Sequence, residues 1–304
     1  MISNLQQLSV SEHRLSQSQG FWLAGLVASS YVGSVYVSLL IARPRPPLWR
    51  NEPAVIKARS LLASFSSILC CSLVYFVARS ASDGGIHEDT SERTANLTSE
   101  LLGLSVTPYT AYLVVPALFI GPLYTTYLAG TLPFQQNWNF QTEIVGRLTT
   151  WEGIRNYVMA PISEEVTYRA CVLSIYHLAG YNRKIMIWFA PCWFGLAHIH
   201  HAFEMYKRLG RTSSALQMAF FSSAFQFLYT TVFGWLCSFL FLRTASIFIP
   251  ISAHIFCNIM GFPAIGWELR EYPNRKYYII LAYISGVYIL TLQCFRDDVN
   301  LQES

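Results

Sequence analysis

Charge is scarce in this sequence. Asp, Glu, Lys and Arg together make up 12% of the 304 residues, about half the roughly 25% of an ordinary soluble domain. The length alone would suggest two soluble domains, but a chain with this little charge and 53% hydrophobic residues is solvated mostly by lipid. Other features are also missing. The seven cysteines (Cys70, Cys71, Cys171, Cys192, Cys237, Cys257, Cys294) are odd in number and show no Cys-x-x-Cys spacing, which argues against a disulfide framework or a zinc ribbon. All seven sit in or at the ends of apolar segments, as small core hydrophobes do. There is no internal repeat and no His-Glu-x-x-His, so the commonest zinc-protease signature is absent. No nucleic-acid partner is expected.

The chain does contain apolar runs near the ~20-residue length that crosses a bilayer. They fall at Phe21–Ala42, Leu61–Ala78, Ala111–Leu132, Tyr157–Leu178, Ile185–His201, Ala215–Leu242, Ala245–Pro263 and Tyr277–Phe295. The expected fold is therefore all-α: a polytopic membrane protein of about eight transmembrane helices. Residues 1–304 are expected to form one membrane-embedded domain, with a catalytic core at about 155–260. Phe21–Ala42 exceeds the usual 7–15-residue apolar stretch of a signal peptide and is expected to be a first transmembrane helix. The C-terminal Leu301-Gln302-Glu303-Ser304 is neither a prenylation box nor a retrieval signal. With alternate connections assigned to opposite sides, thirteen Lys and Arg residues fall on one side and seven on the other. The positive-inside rule places the richer side, with Arg43, Arg45, Arg50, Lys57 and Arg59, in the cytosol. The loop Arg79–Thr110, with its Asn96-Leu97-Thr98 tripeptide, falls on the opposite side.

The most informative stretch is Ala160-Pro161-Ile162-Ser163-Glu164-Glu165-Val166-Thr167-Tyr168-Arg169. It places two carboxylates and a guanidinium inside an apolar run, where each charge costs several kcal/mol. On a helix Glu165 and Arg169 are four apart and should pair, while Glu164 is rotated about 100° away from that pair. Glu165–Arg169 therefore reads as a structural clamp and Glu164 as the reactive carboxylate, a better base once desolvated. Phe194-Gly195-Leu196-Ala197-His198-Ile199-His200-His201 adds imidazoles. On one helix His201 shares the His198 face, where it could support it, and His200 points away as an ordinary interfacial histidine. His254 and Asn258, four apart, project from one face of a later helix. With the orientation above, these groups lie at similar depth on the cytosolic side. A carboxylate, an imidazole and a His/Asn donor pair suit hydrolysis of an acyl bond, one group activating water and others stabilising the oxyanion. From the residues alone zinc stays open, since Glu and two His form a valid ligand set. Cys171, seven residues after Glu164, is a weaker candidate for a catalytic thiol, because no environment that lowers its pKa is visible.

Glu-Glu-x-x-x-Arg, Phe-x-x-x-His and His-x-x-x-Asn, in that order on separate helices, resemble the membrane-embedded CAAX protease family. Arg155-Asn156-Tyr157-Val158-Met159-Ala160-Pro161 and the Phe194–His201 wording are similar to its eukaryotic branch. The resemblance covers Arg155–Asn258. It implies an endopeptidase of the endoplasmic reticulum membrane, its active site facing the cytosol. Such an enzyme removes the last three residues from farnesylated or geranylgeranylated CAAX proteins, Ras-like small GTPases among them, and from prenylated peptides. Carried over by position, Glu164 and His198 would activate water, His254 and Asn258 would form the oxyanion hole, and Glu165 and Arg169 would support them. The resemblance implies no metal and no cofactor.

Phe140, Ile144, Leu148, Trp151, Ile154 and Val158 make an apolar stripe at helical spacing. It suits a helix lying in the lipid interface or one packed on the bundle. The basic, proline-rich stretch Arg43–Arg59 either attracts anionic lipid or sets topology. Two other classes also keep polar groups within a membrane: a proton-coupled transporter, and a non-catalytic lipid-binding scaffold. The first predicts gradient-dependent activity. The second would tolerate loss of Glu164 or His198, both of which are present.

Overall fold

The computed structural model describes residues 15–42, 51–81 and 88–300, with backbone alone at 81, 88–90 and 294–300. Arg14, the stretch from Arg43 to Arg50, the C-terminal tetrapeptide and the side chain of Cys294 lie outside the described residues. Ordered along the chain, the α-helices are α1 (Gln17–Ala42), α2 (Pro53–Ala81), α3 (Glu88–Leu101), α4 (Val114–Leu118), α5 (Ile120–Leu128), α6 (Gly146–Leu148), α7 (Trp151–Ile154), α8 (Ala160–Glu165), α9 (Val172–Leu178), α10 (Arg183–Trp188), α11 (Cys192–Ala197), α12 (His200–Arg208), α13 (Ser213–Thr244), α14 (Phe248–Met260), α15 (Ile265–Glu271) and α16 (Lys276–Asn300). Short π-helical turns cover Gln141–Val145, Arg155–Met159 and Val166–Cys171. Among the described residues the one β-type pairing is an isolated bridge between Leu104 and Ser246. The chain is all-α, as expected.

Among the described residues, three helices (Gln17–Ala42, Pro53–Ser80 and Ser213–Thr244) are long and apolar enough to cross a membrane. The number rises to five if two bent pairs each count as one span. One pair, Tyr109–Leu118 with Ile120–Leu128, bends by 70°. Pro122 lacks the N–H that would continue the ladder there, and its ring crowds the preceding turn. The other, Phe248–Met260 with Ile265–Glu271, bends by 46° where Gly261 takes a positive φ and Pro263 follows. The sequence run Ile185–His201 is three pieces, α10, α11 and the start of α12, interrupted around Pro191 and again at His198–Ile199. The Tyr157–Leu178 run is helical throughout but alternates between π and α geometry. The spanning count of eight therefore remains a reading of the apolar runs. Large apolar side chains stand exposed along α1, α2, α13 and α16, among them Trp22, Leu40, Ile68, Phe220, Phe221 and Leu281. Such continuous apolar surface is foreign to a water-soluble protein. This is a multi-pass membrane protein.

The chain divides into two compact units, Met1–Val106 with Met159–Ile251, and Thr107–Val158 with Ser252–Ser304. In the first, α2 packs along α1, and the helix carrying Glu164 to Leu178 packs on both. Its core gathers Val27, Val74, Tyr168, Val172, Leu173, Ile175 and Phe194. Helices approach closely where a side chain is missing: a Cβ on Gly25 would lie 2.9 Å from the Trp193 ring, and Trp193 is itself held by a hydrogen bond from its indole N–H to Tyr176 (3.1 Å). In the second unit α16 packs on α4 and α5, and the Tyr283 hydroxyl donates to buried Glu268 at 2.8 Å.

Gly25→Val should overpack the α1–α11 contact and lower stability by about 1–3 kcal/mol. The expected readout is a lower melting temperature and less monodisperse detergent-solubilised protein. Gly33→Ala, where no atom lies within 4 Å of the added Cβ, should be tolerated. Equal behaviour of the two variants would contradict this packing.

Candidate active site

The first unit holds Glu164, Glu165, Arg169 and His198. The expected ion pair is present: Arg169 Nη1 donates to Glu165 Oε1 at 3.1 Å, with the two side chains 1% and 0% exposed. The Arg169 guanidinium lies over the Phe194 ring, 4.3 Å from its centroid, and beside Phe233 at 5.8 Å. Its Nε and Nη2 have no hydrogen-bond partner among the described residues. The aromatic faces therefore supply part of the stabilisation that hydrogen bonds would otherwise give. Gly234 leaves room for the guanidinium, since a Cβ there would come within 3.4 Å of Arg169 Nη2 and 2.7 Å of Pro191.

Glu164 lies outside that pair and is half-buried. The Tyr31 hydroxyl reaches it from α1, with Oη 3.4 Å from Glu164 Oε1 and 3.1 Å from Ser163 Oγ. Ser163 in turn donates to the Met159 carbonyl at 2.7 Å. From α2, Ser67 Oγ is 3.2 Å from the Ser163 carbonyl and 3.0 Å from Thr167 Oγ1. The two glutamates thus end a short α-helix with π-turns on both sides. Such turns re-aim side chains within a continuous helix and occur often at functional sites.

His198 closes α11. Its Nδ1 lies 2.7 Å from the Phe194 carbonyl. Because a carbonyl only accepts, Nδ1 carries a proton here, and the neutral form of the ring has its lone pair on Nε2. Phe194 also packs its ring against His198, with centroids 4.6 Å apart. The residue that lies under Arg169 therefore also sets the tautomer of His198.

The remaining histidines depart from the single-helix expectation. Because the chain breaks at His198–Ile199, His200 and His201 open a new helix with their rings 3.9 Å apart, and the His201 ring is 6.1 Å from that of His198. His201 Nδ1 lies 3.4 Å from Glu204 Oε2, and Arg59 of α2 lies 3.7 Å from Glu204 Oε1. Burial pushes the Glu204 carboxyl up, but the hydrogen bond and charge of His201, with the Arg59 guanidinium, outweigh it and hold it below its ordinary value.

The second unit holds His254, which is buried, and Asn258 one turn later on α14. Asn258 Nδ2 donates to the Asn156 carbonyl at 2.8 Å, so the amide is oriented by a π-turn of its own unit. Cys171 is fully buried with its sulfur 3.7 Å from that of Cys71, a packing position rather than that of an accessible thiol. In the apolar stripe Phe140, Ile144, Leu148, Trp151 and Val158 are all exposed, while Arg147 and Glu143 pair at 2.5 Å. Ile154, the remaining residue of the stripe, is half-buried. In the Asn96-Leu97-Thr98 tripeptide, Thr98 is buried in α3 and donates to the Thr94 carbonyl.

Tyr31 and Ser67 were not singled out in the sequence. The available signal was weak: a hydroxyl within an apolar helix must find a partner in lipid, but nothing in the sequence says which one.

Within the first unit, a half-buried carboxylate and an imidazole set among apolar helices are groups suited to a membrane-embedded hydrolase. Residues 146–260 match the family described as Type II CAAX prenyl endopeptidase Rce1-like. The Schizosaccharomyces pombe protein named "Probable CAAX prenyl protease 2" is 33% identical over 279 residues, 89% of this chain and 90% of its own. Homo sapiens CAAX prenyl protease 2 is 35% identical over 89% of this chain and 79% of its own. The Saccharomyces cerevisiae protein of the same name is 31% identical over 77% and 78%. No solved structure matches. The chain belongs to the Rce1-like family of CAAX prenyl endopeptidases.

Arg169→Ala would remove the ion-pair partner of buried Glu165, a loss of about 3–5 kcal/mol. Little folded protein should be recovered from the membrane. A well-folded Arg169→Ala that is inactive would instead give Arg169 a direct role in catalysis or substrate binding. Tyr31→Phe removes a hydrogen bond to Glu164 worth about 1 kcal/mol and should lower kcat several-fold while leaving the melting temperature near that of the parent.

Proposed function

We propose that this chain is an intramembrane endopeptidase that removes the C-terminal three residues from farnesylated or geranylgeranylated CAAX proteins, Ras-like small GTPases and prenylated peptides included. The observation that carries this reading is the division of labour between adjacent carboxylates. Glu165 is committed to Arg169, while Glu164 is half-buried, held by Tyr31, and shares a unit with a His198 whose lone pair is on Nε2. In the proposed reaction Glu164 and His198 take a proton from water as its oxygen attacks the scissile carbonyl carbon. His254 and Asn258 stabilise the resulting oxyanion by hydrogen bonds. Collapse breaks the C–N bond, and the departing amine takes back the proton. Glu165 and Arg169 position the helix from which Glu164 projects. No step calls for a metal or another cofactor.

A prenyl chain partitions into lipid while its peptide arrives from water. The exposed stripe of Phe140, Ile144, Leu148, Trp151 and Val158, flanked by Glu143, Arg147 and Glu152, suits the membrane interface where the two meet. We place the enzyme in the endoplasmic reticulum membrane with its active site facing the cytosol. The whole chain acts as one protease domain with eight spans and its catalytic core at about 155–260, and membrane lipid is a partner throughout.

The deciding experiment is tripeptide release from a farnesylated CAAX peptide by purified, chelator-treated protein. Glu164→Ala and His198→Ala should abolish release, Asn258→Ala should reduce it by about 10²-fold or more, and Cys171→Ala should retain it. The unprenylated peptide should not be cleaved. Robust release by Glu164→Ala would refute the mechanism. No release under any condition, zinc addition included, would favour a transporter or a scaffold.

A further inference from the structure

The first turn of α12 gathers three donor groups that the proposed reaction does not use. His200, His201 and Glu204 each offer one ligand atom, and these atoms lie within 4.8 Å of one another, all half-buried. We propose that they form a binding site for a divalent transition-metal ion of the zinc class, distinct from Glu164 and His198. The proposal does not depend on the protease reading.

The donor chemistry is that of zinc: two imidazoles and a carboxylate, which leave a fourth position open. Bonds of about 2.0–2.1 Å in a tetrahedron put neighbouring ligand atoms roughly 3.3–3.4 Å apart. His201 Nδ1 and Glu204 Oε2 are already 3.4 Å apart, so an ion can replace the hydrogen bond between them without moving either residue far. His200 is arranged as metal-binding histidines commonly are. Its Nδ1 is held at 2.5 Å by the Ala197 carbonyl, which fixes the ring and leaves Nε2 as the nitrogen able to ligate. Closing the remaining gap to His200 Nε2 takes a small adjustment of the first turn of this short, half-buried helix that keeps the Ala197 contact, with the Tyr36 ring 6.0 Å from that of His200.

A second observation points to a ligand at Glu204. Glu204 Oε1 is shielded from solvent and has no hydrogen-bond partner among the described residues. The Arg59 guanidinium stands 3.7 Å from it, beyond hydrogen-bond length. Arg59 therefore acts as an imperfect counter-ion that a metal would displace, linking α2 to occupancy of the site.

The test uses the full chain, purified in detergent without a polyhistidine tag, stripped with chelator and titrated with Co²⁺. Visible d–d absorption reports tetrahedral nitrogen/oxygen coordination, and Zn²⁺ is then added to displace it. The expected result is one saturable equivalent. Affinity should fall about tenfold or more in each of His200→Ala, His201→Gln and Glu204→Gln, and rise in Arg59→Gln. Size-exclusion profile and helix content identify folded variants, and any two of the three ligand variants suffice. No saturable signal, or a signal that survives in the folded ligand variants, would overturn the proposal. So would a signal that persists in those variants but disappears in Glu164→Gln, because the ion would then belong to the proposed catalytic groups.

Discussion

The first unit depends on a charge pair placed where charge is most costly. Glu165 and Arg169 are sealed from solvent inside a helix that packs on α1 and α2, and neither could remain there alone. Pairing offsets the penalty only with good geometry and neighbours that tolerate a cation. Here Phe194 and Phe233 supply those neighbours, and the missing side chain of Gly234 supplies the space. The pair therefore constrains α13 as well as the helix that carries it. Through Phe194 it also reaches His198, whose tautomer is set by the Phe194 carbonyl.

This arrangement gives neighbouring residues of one type different tasks. Glu165 is neutralised and fixed in place. Glu164, one position along, lies outside that pair, is approached by the Tyr31 hydroxyl, and is the carboxylate assigned to proton transfer in the proposed reaction. Lipid sharpens the distinction, because a low-dielectric surrounding strengthens both the attraction within the pair and the cost of any charge outside one. The same reasoning applies to α12, where Arg59, Glu204 and His201 form a looser, more accessible network.

Much of the architecture could be read from composition. The runs behind α1, α2 and α13 appear as long helices because nothing in them interrupts an apolar sequence of spanning length. The Glu165–Arg169 pair follows from helical spacing, which survives even though a π-turn begins immediately after Glu165. Breaks were harder to see. The Ile185–His201 run reads as one segment, yet Pro191 and the turn at His198–Ile199 divide it. That division puts His200 and His201 at the start of a new helix, with the His201 ring still 6.1 Å from that of His198. The π-turns have no composition signature, because they arise when a helix adapts its winding to its neighbours.

The sequence by itself determined that this chain lives in a membrane, which polar residues it must accommodate there, and which family it resembles. Those follow from local quantities: run length, the cost of burying charge, and the order of short motifs. Only the tertiary structure decided that Tyr31 and Ser67 meet the glutamate helix, that Phe194 joins Arg169 to His198, and that His200, His201 and Glu204 converge beside Arg59. Each of those contacts joins segments far apart in the chain or depends on where a helix breaks. Packing sets both, and no single segment encodes it.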